Sequence, residues 1–216
     1  MNIQLALDRL SIEEAVSITR KVAPYIDWIE VGTSLIKEFG MESVRSLKRT
    51  FPDKKIVADI KTFDNAVYEF ELCFSAGADI ATVIGAAPLV SIEACLEVAN
   101  RHGKQVMIDL LNTSKEQLDV LSKYEDVIVC AHLSKDQQER GGENGNSGLH
   151  VPSFPGKSVK VAVAGGITID SFTKIIKEGN PHVVIIGSGI TKADNPMDAA
   201  KTFYEMANQY KEHNHE

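Results

Sequence analysis

The stretch IVADIKTFDN, residues 56–65, begins as a buried strand with Ile56, Val57 and Ala58 and then sets Asp59, Lys61 and Asp64 where apolar residues are expected. Residues two apart on a strand share a face, so Asp59 and Lys61 can act together. A carboxylate in that position suits a hard cation. An ammonium held among carboxylates stays charged beside any anion that develops in a reaction. The pattern recurs along the chain: Asp8 ends the run IQLALD, Glu30 lies late in DWIEVG, Asp109 late in QVMIDLL, and His132 ends DVIVCAH. An imidazole titrates near neutrality and suits proton transfer. Glu30 and Asp59 are the candidate ligands of Mg²⁺, which usually takes one or two protein carboxylates and fills its shell with water and substrate oxygens. Such an ion would polarise a carbonyl and stabilise an enediolate. Asp64 has left the strand and could simply cap the helix that follows.

A second kind of site is written near the C-terminus, where VAVAGGIT and VIIGSGIT each end an apolar run in glycines. Gly165, Gly166, Gly187 and Gly189 leave backbone N–H groups open to an anion, and Ser188 adds a hydroxyl. This is the expected handle for a substrate phosphate, through Gly165, Gly166, Gly187 and Ser188.

The elements that must position these residues are eight short Val/Ile/Ala-rich runs at 3–8, 27–32, 55–61, 79–85, 105–111, 126–132, 160–166 and 182–189, separated by amphipathic segments. Runs that are apolar on both faces and separated by single helices predict parallel strands with right-handed crossovers. Eight such units in 216 residues predict one α/β domain over residues 1–216, a (β/α)8 barrel. A doubly wound open sheet would usually show a Gly-rich turn after its first strand, and LALDRLSIEE has none. In a barrel the strand ends converge on one face, which gathers Asp8, Glu30, Asp59, Lys61, Asp109 and His132 at one mouth. The stretch ERGGENGNSGLHVPSFPGKS, dense in Gly, Asn, Ser and Pro, predicts a sixth helix that is short or replaced by a surface loop.

Composition bounds the partners. With 44% hydrophobic and 25% charged residues the chain can bury one sizeable core, and a net charge of −7 argues against a nucleic-acid footprint. No apolar run approaches the roughly 20 residues of a membrane helix. The start MNIQLALDRL does not read as a signal peptide, so a cytoplasmic protein without a membrane partner is expected. Cys73, Cys95 and Cys130 are expected to be buried free thiols. Cys130 shares a strand face with His132 but should lie one layer deeper, as a packed core thiol rather than half of a Cys–His nucleophile.

Several segments in order resemble the orotidine-5′-monophosphate decarboxylase suprafamily and, within it, the 3-hexulose-6-phosphate synthases: IQLALD, IEVGT at 29–33, D-x-K-x-x-D at Asp59, Lys61 and Asp64, GADI at 77–80, and KQVMID at 104–109. The A-H-x-x-x-D-x-Q of Ala131, His132, Asp136 and Gln138, the AVAGGI at 162–167 and the GSGIT at 187–191 continue the match over almost the whole chain. The resemblance implies an aldehyde-lyase that joins formaldehyde to D-ribulose 5-phosphate through a Mg²⁺-stabilised enediolate. Asp8, Lys61, Asp64, Asp109 and His132 would be catalytic, Glu30 and Asp59 would serve the metal, and a homodimer would carry Asp64 into the partner's active site. Its near relative, 3-keto-L-gulonate-6-phosphate decarboxylase, would call for Glu, Arg, Thr and Arg where this chain has Asp109, Lys135, Ala164 and Ser188. A non-catalytic sugar-phosphate-binding barrel would need the glycine turns but not the cluster of acids, lysine and histidine. The chain departs from the synthase pattern at Trp28, Asn65, Leu133 and Ser134, and bulk at Trp28 or Asn65 is expected to bear on the substrate site.

Overall fold

The computed structural model describes residues 1–140 and 159–213. Among them the strands are β1 (Asn2–Leu7), β2 (Trp28–Val31), β3 (Lys55–Thr62), β4 (Ile80–Ile84), β5 (Gln105–Asp109), β6 (Ile128–His132), β7 (Lys160–Ala164) and β8 (Val183–Ile186). All neighbours pair in parallel and β8 returns to β1, which closes the barrel. Closure leaves no strand edge unpaired. The helices are α1 (Ile12–Val22), α2 (Thr33–Phe39), α3 (Met41–Thr50), α4 (Ala66–Ser75), α5 (Leu89–His102), α6 (Lys115–Leu121), α7 (Lys135–Arg140), α8 (Ile169–Gly179), α9 (Ser188–Thr191) and α10 (Pro196–His213).

Local chemistry explains where the helices begin and end. Ser11 and Glu14 close a reciprocal capping box on α1, and Thr168 with Ser171 does the same for α8. These bonds satisfy N–H groups that the first helical turn leaves open. Between β2 and β3, where a single helix is expected, the chain forms two, because Gly40 takes φ 61 and ends α2 before α3 begins. The helix after β6 is α7, described over Lys135–Arg140; the stretch for which a short or replaced sixth helix is expected continues through residues 141–158, which lie outside the described residues.

Strand alternation divides the core into two. Outward residues such as Leu5, Ile29, Ile56 and Val163 are fully buried under the helices, while Trp28, Val57, Ile80, Met107, Ile128 and Val183 fill the barrel. Burying a side chain of this size contributes about 1.5–3 kcal/mol. Trp28 pairs in register with Gln4 and Lys55, two positions below Glu30, and the Lys55 ammonium sits 5.0 Å from its ring centroid. Its bulk is therefore spent at the base of the barrel and not at the mouth, contrary to the expectation that it would bear on the substrate site. The three cysteines are buried free thiols, as their number and spacing implied.

Candidate active site

One cavity of about 510 Å³ opens at the C-terminal ends of the strands. Asp8, Glu30, Asp59, Lys61, Asp109, His132, Gly165, Gly166, Gly187 and Ser188 all line it, so the convergence expected of a barrel is realised for ten of the eleven candidate residues. Asp64 is the exception. It is exposed beside the apolar residues Phe63, Val67 and Tyr68, outside the cavity; α4 starts at Ala66 with Asn65 at its cap position and no side-chain cap, and the Asp64 carboxylate accepts the Asn65 N–H at 2.7 Å, so Asp64 does not cap that helix. Asn65 takes φ 56 and is exposed outside this cavity as well.

The centre of the cavity is a chain of charges contributed by three strands, β3, β5 and β6. Lys61 donates to both oxygens of Asp59, at 2.8 and 2.7 Å, and reaches Asp109 Oδ2 at 3.1 Å. The same Asp109 oxygen lies 2.8 Å from His132 Nδ1, and Asp109 Oδ1 accepts the Leu111 N–H at 3.0 Å. Glu30, Asp59 and Asp109 are 8%, 4% and 3% exposed, a depth at which carboxylates persist only when paired, hydrogen-bonded or bound to a cation.

Each shifted group has a physical cause. Burial works against the Lys61 ammonium, but the charges of Asp59 and Asp109 and the bond to Asp59 outweigh it and hold the group well above the ordinary lysine range. Burial would raise Asp109, yet the bond and charge of His132, then Lys61, hold it below the usual carboxylate range. An ionised carboxylate only accepts hydrogen bonds. The neutral His132 ring must therefore carry its proton on Nδ1 and keep the Nε2 lone pair, the arrangement of a base. Glu30 goes the other way: burial, then the like charge of Asp59, push its carboxyl up to about 8. The Cys130 thiol lines the cavity, but burial first and Asp109 second push it well above its ordinary value, so it remains a thiol and not a nucleophile.

Among the described residues no group of three or more His, Cys, Asp and Glu side chains is arranged to hold a metal ion. The pair Glu30 and Asp59 nevertheless fits Mg²⁺ in its chemistry: two buried oxygen ligands whose mutual repulsion a divalent cation would relieve.

Several polar partners were legible only as anomalies in apolar runs. Thr33 donates to Asp59 Oδ2 at 2.6 Å and Thr82 to Asp59 Oδ1 at 2.9 Å. Gln4, fully buried, donates to Glu30 Oε2, while its own Oε1 is a buried atom without a partner. Ser34 donates to Asp8 through both its N–H and its hydroxyl, at 3.1 and 2.7 Å. Gln4 in IQLALD and Thr82 in DIATVIG are single polar residues inside strands, the same signal that marked Asp59. The glycine turns also have local reasons. Gly165 takes φ 109, and a Cβ there would lie 2.4 Å from the Leu133 carbonyl oxygen. A Cβ on Gly189 would lie 2.6 Å from that of Ile167.

A family model, "Orotidine 5'-phosphate decarboxylase / HUMPS family", matches residues 1–203. A 3-hexulose-6-phosphate synthase from Staphylococcus epidermidis is 38% identical over 205 residues, 93% of this chain and 96% of the relative. A 3-hexulose-6-phosphate synthase structure from Salmonella typhimurium superposes with a TM-score of 0.86 at 31% identity, covering 97% of this chain and 99% of that one. A 3-keto-L-gulonate-6-phosphate decarboxylase structure from Vibrio cholerae superposes with a TM-score of 0.80 at 26% identity, covering 96% and 97%. The chain belongs to the orotidine 5′-phosphate decarboxylase / HUMPS family.

Proposed function

We propose that the protein is a 3-hexulose-6-phosphate synthase: an aldehyde-lyase that joins formaldehyde to D-ribulose 5-phosphate and reverses the same reaction. The observation that carries this is the position of Asp109, which accepts from His132 and Lys61 at once and so aligns a base and a fixed cation on one cavity.

His132 Nε2 removes a C1 proton from the bound sugar phosphate, leaving an enediolate. The Lys61 ammonium, protonated throughout, stabilises the developing negative charge on the oxygens. C1 of the enediolate attacks the formaldehyde carbon, a C–C bond forms, and the proton held on His132 returns to the former carbonyl oxygen of formaldehyde. The backbone turns at Gly165, Gly166 and Gly187, with Ser188, hold the phosphate. Glu30 and Asp59 would hold Mg²⁺, which would supply a Lewis acid for the sugar's oxygens.

Four cavity positions favour this reading over decarboxylation of 3-keto-L-gulonate 6-phosphate. Asp109, Lys135, Ala164 and Ser188, by which the chain differs from the decarboxylase pattern, all line the cavity. A binding protein without catalysis would have no use for the buried charge network. Asp64 acts from the other subunit of a homodimer. Its exposed position fits that role, beside an apolar patch of Phe63 before α4, Val67, Tyr68 and Leu72 on α4, and Leu89 and Val90 on the adjoining α5. Among the described residues no helix is long and apolar enough to cross a membrane, and a cytoplasmic enzyme is the setting this reading assumes. The test is a product assay with ribulose 5-phosphate, formaldehyde and Mg²⁺, run beside one with 3-keto-L-gulonate 6-phosphate. Hexulose 6-phosphate formed only in the first supports the proposal; CO₂ release in the second with no aldol product reverses it.

A further inference from the structure

The β3–β4 ladder changes register between Ala58 and Thr62, and Lys61 lies within that break with φ 49. A left-handed backbone on a side chain as long as lysine is strained, and it persists only where the surroundings hold it. Displaced from the ladder, the Lys61 N–H donates to Thr82 Oγ1 at 2.8 Å, and the Thr82 hydroxyl donates to Asp59 Oδ1 at 2.9 Å. Thr82 is 3% exposed, so water does not easily substitute for either bond. A hydroxyl offers one donor and two lone pairs, and here a single oxygen accepts from the backbone of Lys61 and donates to the carboxylate that the Lys61 ammonium also grips.

We propose that Thr82 is the positioning residue of this site: its hydroxyl pins the left-handed turn at Lys61 and the Asp59 carboxylate together, and thereby aims the ammonium between Asp59 and Asp109. The proposal rests on the reading of Lys61 as the cation that stabilises the enediolate. Without the hydroxyl, the Lys61 N–H is left buried and unpaired, Asp59 loses a donor, and the strained turn loses its anchor. The ammonium then drifts from the 3.1 Å contact with Asp109. Displacements on this scale in a preorganised site can cost about 10²-fold in rate. The sugar phosphate is held elsewhere, so the loss belongs to the chemical step.

The test compares Thr82→Val, which keeps shape and branching, with Thr82→Ser, which keeps the hydroxyl. Thr82→Val should lower kcat by about 10²-fold with little change in KM for ribulose 5-phosphate, and Thr82→Ser should restore most of it. Amide hydrogen exchange at Lys61, slow in the wild type, should speed up in Thr82→Val and not in Thr82→Ser. Wild-type kcat in Thr82→Val, or equal damage in both variants, overturns the proposal, since the first shows the hydroxyl is idle and the second that only packing matters. If Thr82→Val does not fold, Thr82→Ala is read by the same comparison. Lys61→Met is run alongside: full turnover there would sink the role of Lys61 itself, an outcome distinct from failure of Thr82 alone.

Discussion

His132 Nδ1 lies 2.8 Å from Asp109 Oδ2, the same oxygen that Lys61 reaches at 3.1 Å. One carboxylate thus sets the tautomer of the base and shares the charge of the cation. Pairing of β5 with β6 brings His132 to it, since Asp109 is in register with Cys130, two positions before His132, while Lys61 reaches it from β3 past the intervening β4.

Replacing His132 by Asn keeps a polar side chain but removes the base. kcat should fall by about 10²–10⁴-fold with little change in KM, the pattern of an interaction lost mainly in the transition state. The variant should also fail to exchange the C1 proton of ribulose 5-phosphate with D₂O when formaldehyde is absent, because that exchange uses only the first half of the mechanism. NMR of the sugar in D₂O checks this, and wild-type exchange would assign the base to another residue.

Metal removal should abolish turnover, and readdition of Mg²⁺ should restore it; full activity after exhaustive chelation would refute the roles given to Glu30 and Asp59. Stability carries a second signature. A carboxyl raised from 4.5 to about 8 in the fold binds its proton more tightly folded than unfolded, so its contribution is complete below pH 4.5 and is lost as pH rises through about 8. Metal-free protein should therefore lose stability between these limits, by an amount on the order of a few kcal/mol. Mg²⁺ should offset the loss by binding only the folded state, and Glu30→Gln should flatten it. Unfolding midpoints across pH, with and without chelator, test the sign.

Asp64→Ala and His132→Ala should each be inactive alone. Mixed and allowed to exchange subunits, they should recover about a quarter of the wild-type rate, because half the dimers are hybrids and each hybrid holds one complete site. Hybrids demonstrated by mass spectrometry yet devoid of activity would place Asp64 outside the reaction.

Gly165→Ala should destabilise the protein by roughly 1–3 kcal/mol, since the new Cβ meets the Leu133 carbonyl oxygen and the φ of 109 is strained for any other residue. KM for the sugar phosphate should rise with it, as the β7 turn shifts away from the phosphate. Denaturant midpoints and steady-state kinetics would show both effects; an unaffected KM would remove this turn from the phosphate site.

The barrel, and every candidate group at its mouth except the misplaced Asp64, could be read from the order of residues along the chain. Both follow from local periodicity: eight apolar runs separated by amphipathic segments leave few other topologies, and residues two apart on a strand share a face, which placed Asp59 with Lys61. How deep a residue sits is another matter, because depth depends on the stagger between strands. Trp28 looked like an obstacle at the mouth and lies instead at the barrel base, paired with Gln4 and Lys55. The sharing of Asp109 between Lys61 and His132, the raised carboxyl of Glu30 and the threonines gripping Asp59 join residues from different elements, from 23 positions apart for Thr82 with Asp59 to 71 for Lys61 with His132. These relationships exist only once the barrel has closed. The left-handed turn at Lys61 is the sharpest case: nothing in IVADIKTFDN marks it, because the strain arises from the slipped pairing of β3 with β4 and is held by a hydroxyl on the neighbouring strand.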